Sequence, residues 1–338
     1  MDATDAGSPD VSQLMERILY EVKKIVVGQD HFLERVMIAM LAQGHLLVEG
    51  VPGLAKTLTV KTLARAVHGT FRRIQFTPDL VPADLVGTRI YNQKTGDFAT
   101  SLGPVFTNLL LADEINRAPA KVQSALLEVM QERQVTIAGE THLVDEPFLV
   151  MATQNPIETE GTYPLPEAQV DRFMMKVLVG YPSEEEEVAI VQRVTGASTP
   201  VNAVATTAQI SVLQRECRAA YVDPSLAQYA VRLASATRYP DRYGIAGLEK
   251  YLSFGASPRA SIHLIECARA LAYLRGRHYV LPEDVTDLAP DVLRHRLVLT
   301  YEALADAQTP DQLIARVMQK IAPPEKPLQS HVHVAANS

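Results

Sequence analysis

The chain has few cysteines, no long apolar run and no excess of positive charge. With only Cys217 and Cys267 among 338 residues, it is typical of a protein from a reducing compartment that needs no disulfide framework. No apolar run approaches the roughly 18–20 residues of a membrane span, and residues 1–5 are too acidic and polar for a signal peptide. These features predict a cytoplasmic protein with no membrane span.

The charge balance limits the partners that we expect. A formal net charge of −7 argues against broad electrostatic binding of nucleic acid, so no nucleic-acid partner is predicted. The sequence also lacks the Asn-Lys-x-Asp motif that reads guanine, which argues against a GTPase. Hydrophobic residues at 47% and charged residues at 21% indicate an ordinary globular protein, and the length is sufficient for two domains.

Residues 50–57 are the stretch around which the rest of the chain is organised. The apolar run at 46–48 predicts a buried strand, and Val60, Leu63 and Val67 predict one face of a following helix. A glycine-bearing loop between a strand and a helix is the context of a phosphate-binding loop, whose backbone N–H groups face phosphate oxygens. The residues predicted to bind a nucleotide in this way are Gly50, Val51, Pro52, Gly53, Leu54, Ala55, Lys56, Thr57 and Leu58.

Within this loop, two side chains carry the predicted chemistry. We expect the Lys56 ammonium to reach the β- and γ-phosphates, and the Thr57 hydroxyl to hold Mg²⁺. Ala55 stands where the usual motif has glycine, and its small side chain still allows close approach of the backbone. The alternative is an ordinary glycine turn, but the Lys-Thr pair in its strand–loop–helix context favours a phosphate site.

The hydrophobic pattern changes character at residues 180–182. Before that point, short buried strands alternate with helices, which predicts an α/β domain at 11–182 built on a parallel sheet with helices on both faces. Residues 183–318 read mainly as helix and predict a second domain. The smaller predicted features are hairpins at 88–101 and 135–144 and disordered ends at 1–10 and 319–338.

Acidic and amide side chains follow two of the predicted buried strands. In an open parallel sheet, ligands bind beyond the carboxyl ends of the strands, which places Asp113, Glu114 and Asn155 beside the phosphate loop. Asp113 would hold Mg²⁺, directly or through water, and Glu114 would be the general base that deprotonates the attacking water. Asn155 would bond the γ-phosphate or that water. The alternative for the acids is a solvated strand end, and for Asn155 a turn residue before proline.

Taken together, these motifs resemble the MoxR family of AAA+ ATPases over residues 11–297. The phosphate loop at 50–57, alanine included, is similar to that of the family. The other stretches that carry the resemblance are 76–80, 110–119, 152–156, 163–173 and 255–260. Several long motifs in the family's order make it specific. The resemblance implies an AAA+ P-loop core followed by an all-α lid domain.

The resemblance also implies how a nucleotide is held. The cofactors would be ATP and Mg²⁺, and the activity a magnesium-dependent hydrolysis of ATP. Val27, Gly28 and Gln29 lie where the family contacts the adenine, and Asn155 matches its first sensor. Without the resemblance, none of the first three would be assigned a role.

Arginines are the second group of residues whose roles come from the resemblance. Arg259 matches the second sensor, which reaches the γ-phosphate from the lid. Arg172 matches the arginine finger, which acts on the ATP of the neighbouring subunit, and Arg117 is a further candidate for action in trans. By itself, Arg172 would be interpreted as a surface arginine after an aspartate, and Arg259 as a residue in the first turn of a helix, because most arginines are simply exposed.

The family forms rings, usually hexamers, so a homo-oligomeric ring is implied. The two predicted hairpins resemble those that point at the pore of such rings, although they are also consistent with simple edge hairpins. The implied activity is that of an ATP-hydrolysing molecular chaperone that remodels or activates a protein client. A partner with a von Willebrand factor A domain is also implied. No aromatic-hydrophobic-glycine pore loop is evident.

Three other functions stay open at this point. A nucleotide-dependent scaffold would bind ATP without turnover, but it would need neither Glu114 nor Arg172. A magnesium-chelatase-like motor subunit shares the hairpins and is harder to separate from a chaperone. A DNA-dependent motor is disfavoured by the net acidity and by the lack of an appended DNA-binding module.

Overall fold

The protein divides into two compact units. The first contains the chain up to Leu165 together with Val177–Arg215, and the second contains Pro166–Lys176 together with the chain from Glu216 onward. The residues that the computed structural model describes are 11–51, 53–94, 96–156, 161–196 and 199–325. This division does not coincide with the predicted boundary at residue 182, and the predicted domain ranges remain a proposal.

Strands account for the centre of the first unit and for two hairpins. The described residues form the strands β1 (Leu46–Gly50), β2 (Phe71–Gln75), β3 (Gly87–Asn92), β4 (Asp97–Leu102), β5 (Leu109–Asp113), β6 (Gln134–Ile137), β7 (Glu140–Leu143), β8 (Leu149–Gln154), β9 (Met175–Val179), β10 (Leu252–Phe254) and β11 (Val298–Leu299). The pairs β3–β4 and β6–β7 are antiparallel, and they lie within one or two residues of the predicted hairpins.

Helices flank the sheet and build most of the second unit. They are α1 (Val11–Lys23), α2 (Asp30–Leu41), α3 (Lys56–Ala66), α4 (Pro82–Val86), α5 (Ala120–Glu132), α6 (Glu167–Val170), α7 (Glu184–Thr195), α8 (Thr207–Arg218), α9 (Pro224–Arg238), α10 (Pro258–Leu274), α11 (Pro282–Leu293), α12 (Tyr301–Ala305) and α13 (Pro310–Lys320). Among the described residues, no helix is both long enough and apolar enough to cross a membrane.

A five-stranded sheet in the order β2-β5-β8-β1-β9 is the centre of the first unit. The pairs β2–β5, β5–β8 and β8–β1 are parallel, so that Gln75 lies beside Asp113 and Val48 beside Thr153. Strand β5 is buried from Leu109 until Asp113, because helices cover both faces of a parallel sheet. The predicted α/β core followed by a helical part is confirmed.

Local sequence signals set where several helices begin. Ser183 caps α7: its hydroxyl accepts from the Glu186 N–H at 3.2 Å, and the Glu186 carboxylate accepts from the Ser183 N–H at 2.9 Å. Ser257 caps α10 with its hydroxyl alone, which accepts from the Arg259 N–H at 3.2 Å. Asp30 is of a residue type that often caps helices, but it is the first residue of α2. The preceding Gln29 has a left-handed backbone with φ 59° and makes no side-chain cap bond.

The second unit is mainly helical: α9 and α11 pack on α10 and on each other, and α13 packs on α9 and α11. It also contains the short antiparallel pair β10–β11, which the sequence did not indicate because each strand has only two or three residues. Helix α13 continues to Lys320, past the start of the tail that we expected to be disordered. The disorder predicted for residues 1–10 and for 326–338 lies outside the described residues.

Candidate active site

The loop that begins at Gly50 closes on itself at the end of β1. The Lys56 ammonium donates to the Gly50 carbonyl oxygen over 2.6 Å, which ties the first residue of α3 to the last residue of β1. Gly50 has no room for a side chain, because a Cβ atom there would lie 2.5 Å from the Val179 carbonyl oxygen. Ala55 has a left-handed backbone with φ 54°, and Gly53 has φ 87°. The loop therefore turns tightly, as phosphate binding by backbone N–H groups requires.

A cavity of about 390 Å³ lies beside this loop at the carboxyl ends of the strands. Its lining includes Gly50, residues 53–58, and the strand-end residues Asp113, Glu114 and Asn155. The first turn of α3 lies on the same cavity, so it presents unpaired backbone N–H groups and the positive end of a helix dipole. Val51 is half-buried next to Gly50, and the predicted Pro52 lies outside the described residues.

Lys56 is positioned between opposing electrostatic influences. Partial burial lowers the pKa of Lys56, and the neighbouring negative charges of Asp113 and Glu114 act in the opposite direction. An ammonium that has lost part of its hydration gains more from a phosphate oxygen than an exposed one does. The Lys56 side chain is therefore placed to neutralise an anion in the cavity.

Asp113 is held by partners on both sides. One carboxylate oxygen accepts from the Thr153 hydroxyl at 2.6 Å, and the other accepts from the Arg73 guanidinium at 2.7 Å. Thr57 lines the same cavity as Asp113. A carboxylate and a hydroxyl are hard oxygen ligands of the kind that Mg²⁺ uses together with phosphate oxygens. The two residues therefore fit the predicted metal site.

Glu114 follows directly and is oriented by several hydrogen bonds. Its backbone N–H donates to the Thr153 hydroxyl at 2.9 Å, and its backbone has a left-handed φ of 55°. One carboxylate oxygen accepts from Gln75 at 2.8 Å and from Arg117 at 3.0 Å. Arg117, the second candidate for action in trans, thus pairs with a carboxylate of its own chain. Glu114 is held beside the phosphate loop, where a general base would be needed.

Four residues that line this cavity were not assigned a role from the sequence: Arg73, Gln75, Thr153 and Gln154. Arg73 and Gln75 are two apart in β2, and they lie on the same face of the sheet because side chains alternate along a strand. A signal for them was present in the sequence, since β2 ends in alternating polar residues. The sequence alone does not show that Arg73 bonds Asp113 and that Gln75 bonds Glu114. These contacts follow from the strand register, which places Gln75 beside Asp113. The predicted Asn155 is buried, with 7% of its surface exposed, and lies on the same cavity.

A second cavity, of about 290 Å³, adjoins the opposite part of the loop. The predicted adenine contacts Val27 and Gln29 line it together with Leu54 and Leu58, so the two cavities share the loop as a wall. The Gln29 amide donates to the Gly180 carbonyl oxygen at 3.0 Å. Most of the remaining lining is aliphatic, which suits the flat face of a nucleobase.

Gly28, the third predicted adenine contact, has a backbone conformation that favours glycine. It has a left-handed φ of 64°, as does the following Gln29 with φ 59°. A Cβ atom on Gly28 would lie 2.4 Å from a carboxylate oxygen of Glu186, in the first turn of α7. The left-handed backbone is the reason that favours a glycine here, because the end of the Glu186 side chain can move away.

The two predicted functional arginines Arg172 and Arg259 belong to the second unit. Arg259 is the second residue of α10, and its guanidinium lies 3.5 Å from a carboxylate oxygen of Asp171. Arg172 follows α6, and its buried Nε atom has no hydrogen-bond partner among the described residues. The proposed roles of both arginines rest on the sequence resemblance and remain predictions.

The first unit thus combines an anion-binding loop, a lysine, a pair of metal-compatible oxygen ligands and a positioned carboxylate around one cavity. These are the groups that hydrolysis of a nucleotide phosphate requires, since such catalysis consists mainly of positioning and charge stabilisation. The same parts would also serve a protein that binds a nucleotide without turning it over. The carboxylate of Glu114 distinguishes the two, because binding alone does not need a base.

Two family models match parts of this chain. The model described as “ATPase family associated with various cellular activities (AAA)” matches residues 45–175, which contain the loop and all three strand ends. The model described as “AAA lid domain” matches residues 247–317 in the second unit.

Individual relatives cover nearly the whole chain. Chaperone MoxR1 of Mycobacterium tuberculosis is 56% identical over 94% of this chain and 85% of its own. Protein MoxR of Methylorubrum extorquens is 30% identical over 95% of this chain and 98% of its own. A crystal structure of a candidate ATPase from Cytophaga hutchinsonii superposes with a TM-score of 0.89 at 48% identity, covering 93% of this chain and 96% of its own.

Proposed function

Because the chain belongs to the MoxR family of AAA+ ATPases, we propose that it hydrolyses ATP and uses the energy to remodel or activate a protein client. The observation that supports hydrolysis most directly is the meeting of Lys56, Asp113 and Glu114 at one cavity beside the loop. Remodelling of a client is supported by the chaperone name of a relative that is 56% identical.

In the proposed reaction, the loop binds and orients the triphosphate. Backbone N–H groups at the start of α3 and the Lys56 ammonium hold the phosphate oxygens. Thr57 and Asp113 would hold Mg²⁺, which supplies Lewis-acid stabilisation of charge on the phosphates when it is bound. The second cavity, lined by Val27 and Gln29, would accept the base.

Glu114 takes the proton of the attacking water in this proposal. The bonds from Gln75 and Arg117 fix one of its carboxylate oxygens at the edge of the cavity. Asn155, buried at the end of β8, would orient the water or the γ-phosphate. A base held in place in this way contributes roughly 10²- to 10⁴-fold to such a reaction.

Two arginines complete the proposal. Arg259 would sense the γ-phosphate, and Arg172 would act on the nucleotide of a neighbouring subunit in a homo-oligomeric ring, with a hexamer as the expected form. The charge that develops on the γ-phosphate would then be stabilised only when two subunits touch. A partner with a von Willebrand factor A domain and a cytoplasmic location belong to the same proposal.

Substitution of the base tests whether the chain turns ATP over. We expect Glu114→Gln to bind ATP with Mg²⁺ about as well as the unchanged protein, because glutamine keeps the shape. Steady-state hydrolysis should fall by roughly 10²- to 10⁴-fold, since the amide cannot accept the proton. Phosphate release and binding of a fluorescent ATP analogue measure the two quantities separately.

Glu128→Gln is the matched control, because Glu128 is exposed on α5 and does not line the cavity. It should leave both quantities unchanged. A loss of less than about tenfold in Glu114→Gln would mean that another residue is the base. The nucleotide-dependent scaffold would be supported if the unchanged protein and both variants all failed to hydrolyse ATP.

A further inference from the structure

Three consecutive side chains of the second unit grip the chain segment that carries Arg172. We call Arg294, His295 and Arg296 the clamp, because each of them bonds to backbone oxygens within residues 171–176. The clamp residues form one short 3-10 turn after α11. The segment itself follows the four-residue helix α6 and leads into β9.

Arg296 makes most of these contacts. Its guanidinium donates to the Asp171 carboxylate at 2.8 Å and to the carbonyl oxygens of Asp171, Phe173 and Met174 at 3.0, 2.7 and 3.3 Å. It also donates to His263 at 2.7 Å and to the Val292 carbonyl oxygen. Only 1% of the side chain is exposed. An arginine has five N–H donors in a rigid fork, so it can hold several fixed acceptors at once, which lysine cannot.

The other clamp residues extend the grip along the segment. The His295 ring lies 3.1 Å from the Phe173 carbonyl oxygen, and Arg294 donates to the Lys176 carbonyl oxygen. Burial and the charge of Arg296 lower the pKa of His295 well below its ordinary value, so the ring is neutral and donates through its Nε2–H. The backbone on the carboxyl side of Arg172 is thus held at several successive positions.

Asp171 connects this grip to the start of α10. Its carboxylate accepts from the Ser257 hydroxyl at 2.9 Å and lies 3.5 Å from the Arg259 guanidinium. The Asp171 carboxylate therefore bonds Arg296 of the clamp and contacts the candidate second sensor Arg259, and the Asp171 backbone is directly followed by the candidate finger Arg172.

We propose that Arg296 is a positioning residue for Arg172, and that the clamp makes the finger part of the helical unit that also carries Arg259. The proposal rests on the proposed function, in which Arg172 acts on the nucleotide of a neighbouring subunit. Arg296 does not touch that nucleotide. It sets the backbone from which Arg172 extends, and the grouping of Pro166–Lys176 with the helices from Glu216 onward agrees with this arrangement.

The physical reason is the precision that a finger needs. A guanidinium stabilises a transition state only from the correct place, and a misplacement of about 1 Å can cost roughly 10²-fold in rate. The buried Nε atom of Arg172 has no hydrogen-bond partner among the described residues. No bond at that atom therefore fixes the position of the Arg172 side chain. The backbone bonds made by Arg296 supply the missing constraint.

The test separates the two sides of a shared site in mixed assemblies. Subunits carry two different affinity tags and are purified through both, so that only mixed assemblies are assayed. The reference mixture combines Arg172→Ala subunits, which keep the base, with Glu114→Gln subunits, which keep the finger. We expect it to hydrolyse ATP although neither parent does.

Two further mixtures place Arg296→Lys on one side or the other. In the finger arm, Arg296→Lys is added to the Glu114→Gln subunit. In the nucleotide arm, it is added to the Arg172→Ala subunit. We expect the finger arm to fall about 10- to 100-fold below the reference and the nucleotide arm to stay within about threefold of it. General destabilisation of the second unit would lower both arms alike.

Arg277→Lys is the matched control for the finger arm. Arg277 pairs with the fully buried Asp284 at 2.6 and 2.8 Å in the same unit, so lysine weakens a similar ion pair there. It should leave the finger arm near the reference. Should Arg296→Lys not fold, His295→Phe removes the bond to the Phe173 carbonyl oxygen and keeps a ring, and the same asymmetry is expected.

The outcomes distinguish the two proposals. An inactive reference mixture, or a failure to obtain doubly tagged material, overturns the shared site of the proposed function. An active reference with a finger arm equal to the Arg277→Lys control overturns the positioning role of Arg296. Equal losses in both arms would also overturn it, because they would show a purely structural effect.

Discussion

Ala55 shows how much conformational strain a single residue of the phosphate loop accepts. Its φ of 54° is in the left-handed region, which costs an alanine roughly 1–2 kcal/mol relative to its preferred conformations. The backbone must nevertheless turn there, because α3 begins at the next residue. An alanine is accepted in place of the usual glycine since the turn needs a small side chain more than it needs an unstrained one.

Lys56 is the residue whose loss should separate binding from folding. We expect Lys56→Ala to reduce ATP affinity by about 10- to 100-fold or more, because a charge-assisted contact to phosphate is worth roughly 1.5–3 kcal/mol. The fold should survive, since only the bond to the Gly50 carbonyl oxygen is lost. Titration with a fluorescent ATP analogue and circular dichroism check the two expectations.

Lys61→Ala serves as the control, because Lys61 is exposed on the same helix α3. If Lys56→Ala bound ATP with nearly unchanged affinity, the loop would not be the phosphate site.

The order and direction of the strands determine where the site lies. Apart from Lys56 and Thr57, the polar side chains at the cavity come from the carboxyl ends of β2, β5 and β8, and parallel pairing brings those ends to one edge of the sheet. Strand β1 contributes the loop from the same edge, and β9 packs against it so closely that Gly50 cannot carry a side chain. The position of the loop therefore depends on the contact between two neighbouring strands.

Two glycines at the ends of these strands test that dependence. We expect Gly50→Ala to lower the free energy of unfolding by about 1–3 kcal/mol, because its Cβ would overlap the Val179 carbonyl oxygen. ATP affinity should fall as well, since the loop starts at this residue. Gly180→Ala at the end of β9 meets no atom within 4 Å and should be neutral or slightly stabilising.

Urea unfolding and ATP titration of both variants provide the measurement. Equal effects of Gly50→Ala and Gly180→Ala would show that the close approach of β1 and β9 does not constrain the loop.

Each of the two units contains a histidine that the fold keeps neutral. His45 lies in the first unit, where its Nδ1 accepts from the Val150 N–H and its Nε2 bonds the Met130 carbonyl oxygen, both at 3.0 Å. Burial, with a contribution from the charge of Arg133, lowers the pKa of His45 to about 3. In the second unit, the pKa of His295 is also well below its ordinary value because of burial.

Because the fold keeps these two histidines neutral, we expect acid to lower the free energy of unfolding of the protein. The unfolded chain binds a proton at each histidine below a pKa of about 6.5, whereas folded His45 does so only near pH 3. The stability that His45 contributes is therefore complete above about pH 6.5 and is lost as the pH falls from there towards 3. The loss is up to about 1.4 kcal/mol per pH unit for this one group.

His45→Gln removes this contribution and provides the measurement. The difference in unfolding free energy between the unchanged protein and His45→Gln should shrink by about 2 kcal/mol between pH 6.5 and 5. Substitution of the exposed His68 by Gln controls for the loss of a histidine as such. A difference that does not change with pH would mean that His45 is not held neutral.

Much of the fold was predictable because it depends on local patterns. Continuous apolar runs predicted strands such as β5 and β8. The starts of α7 and α10 also depend on local signals, because Ser183 and Ser257 cap these helices. The pair β10–β11 was missed, since strands of two or three residues have no readable period. The start of α2 at Asp30 depends on the left-handed backbone at Gln29, which no pattern in the sequence records.

The sequence by itself determined the α/β core, the helical second part and the family, since these rest on periodicity and on motifs contiguous along the chain. It also selected Lys56, Thr57, Asp113, Glu114 and Asn155 as candidates, although their roles stay predictions. The tertiary structure alone decided which partners hold them. Arg73 and Gln75 reach the two acids through strand register, and Arg296 reaches Asp171 across 125 residues of chain. Contacts between residues so far apart depend on how the elements pack, which no local pattern records.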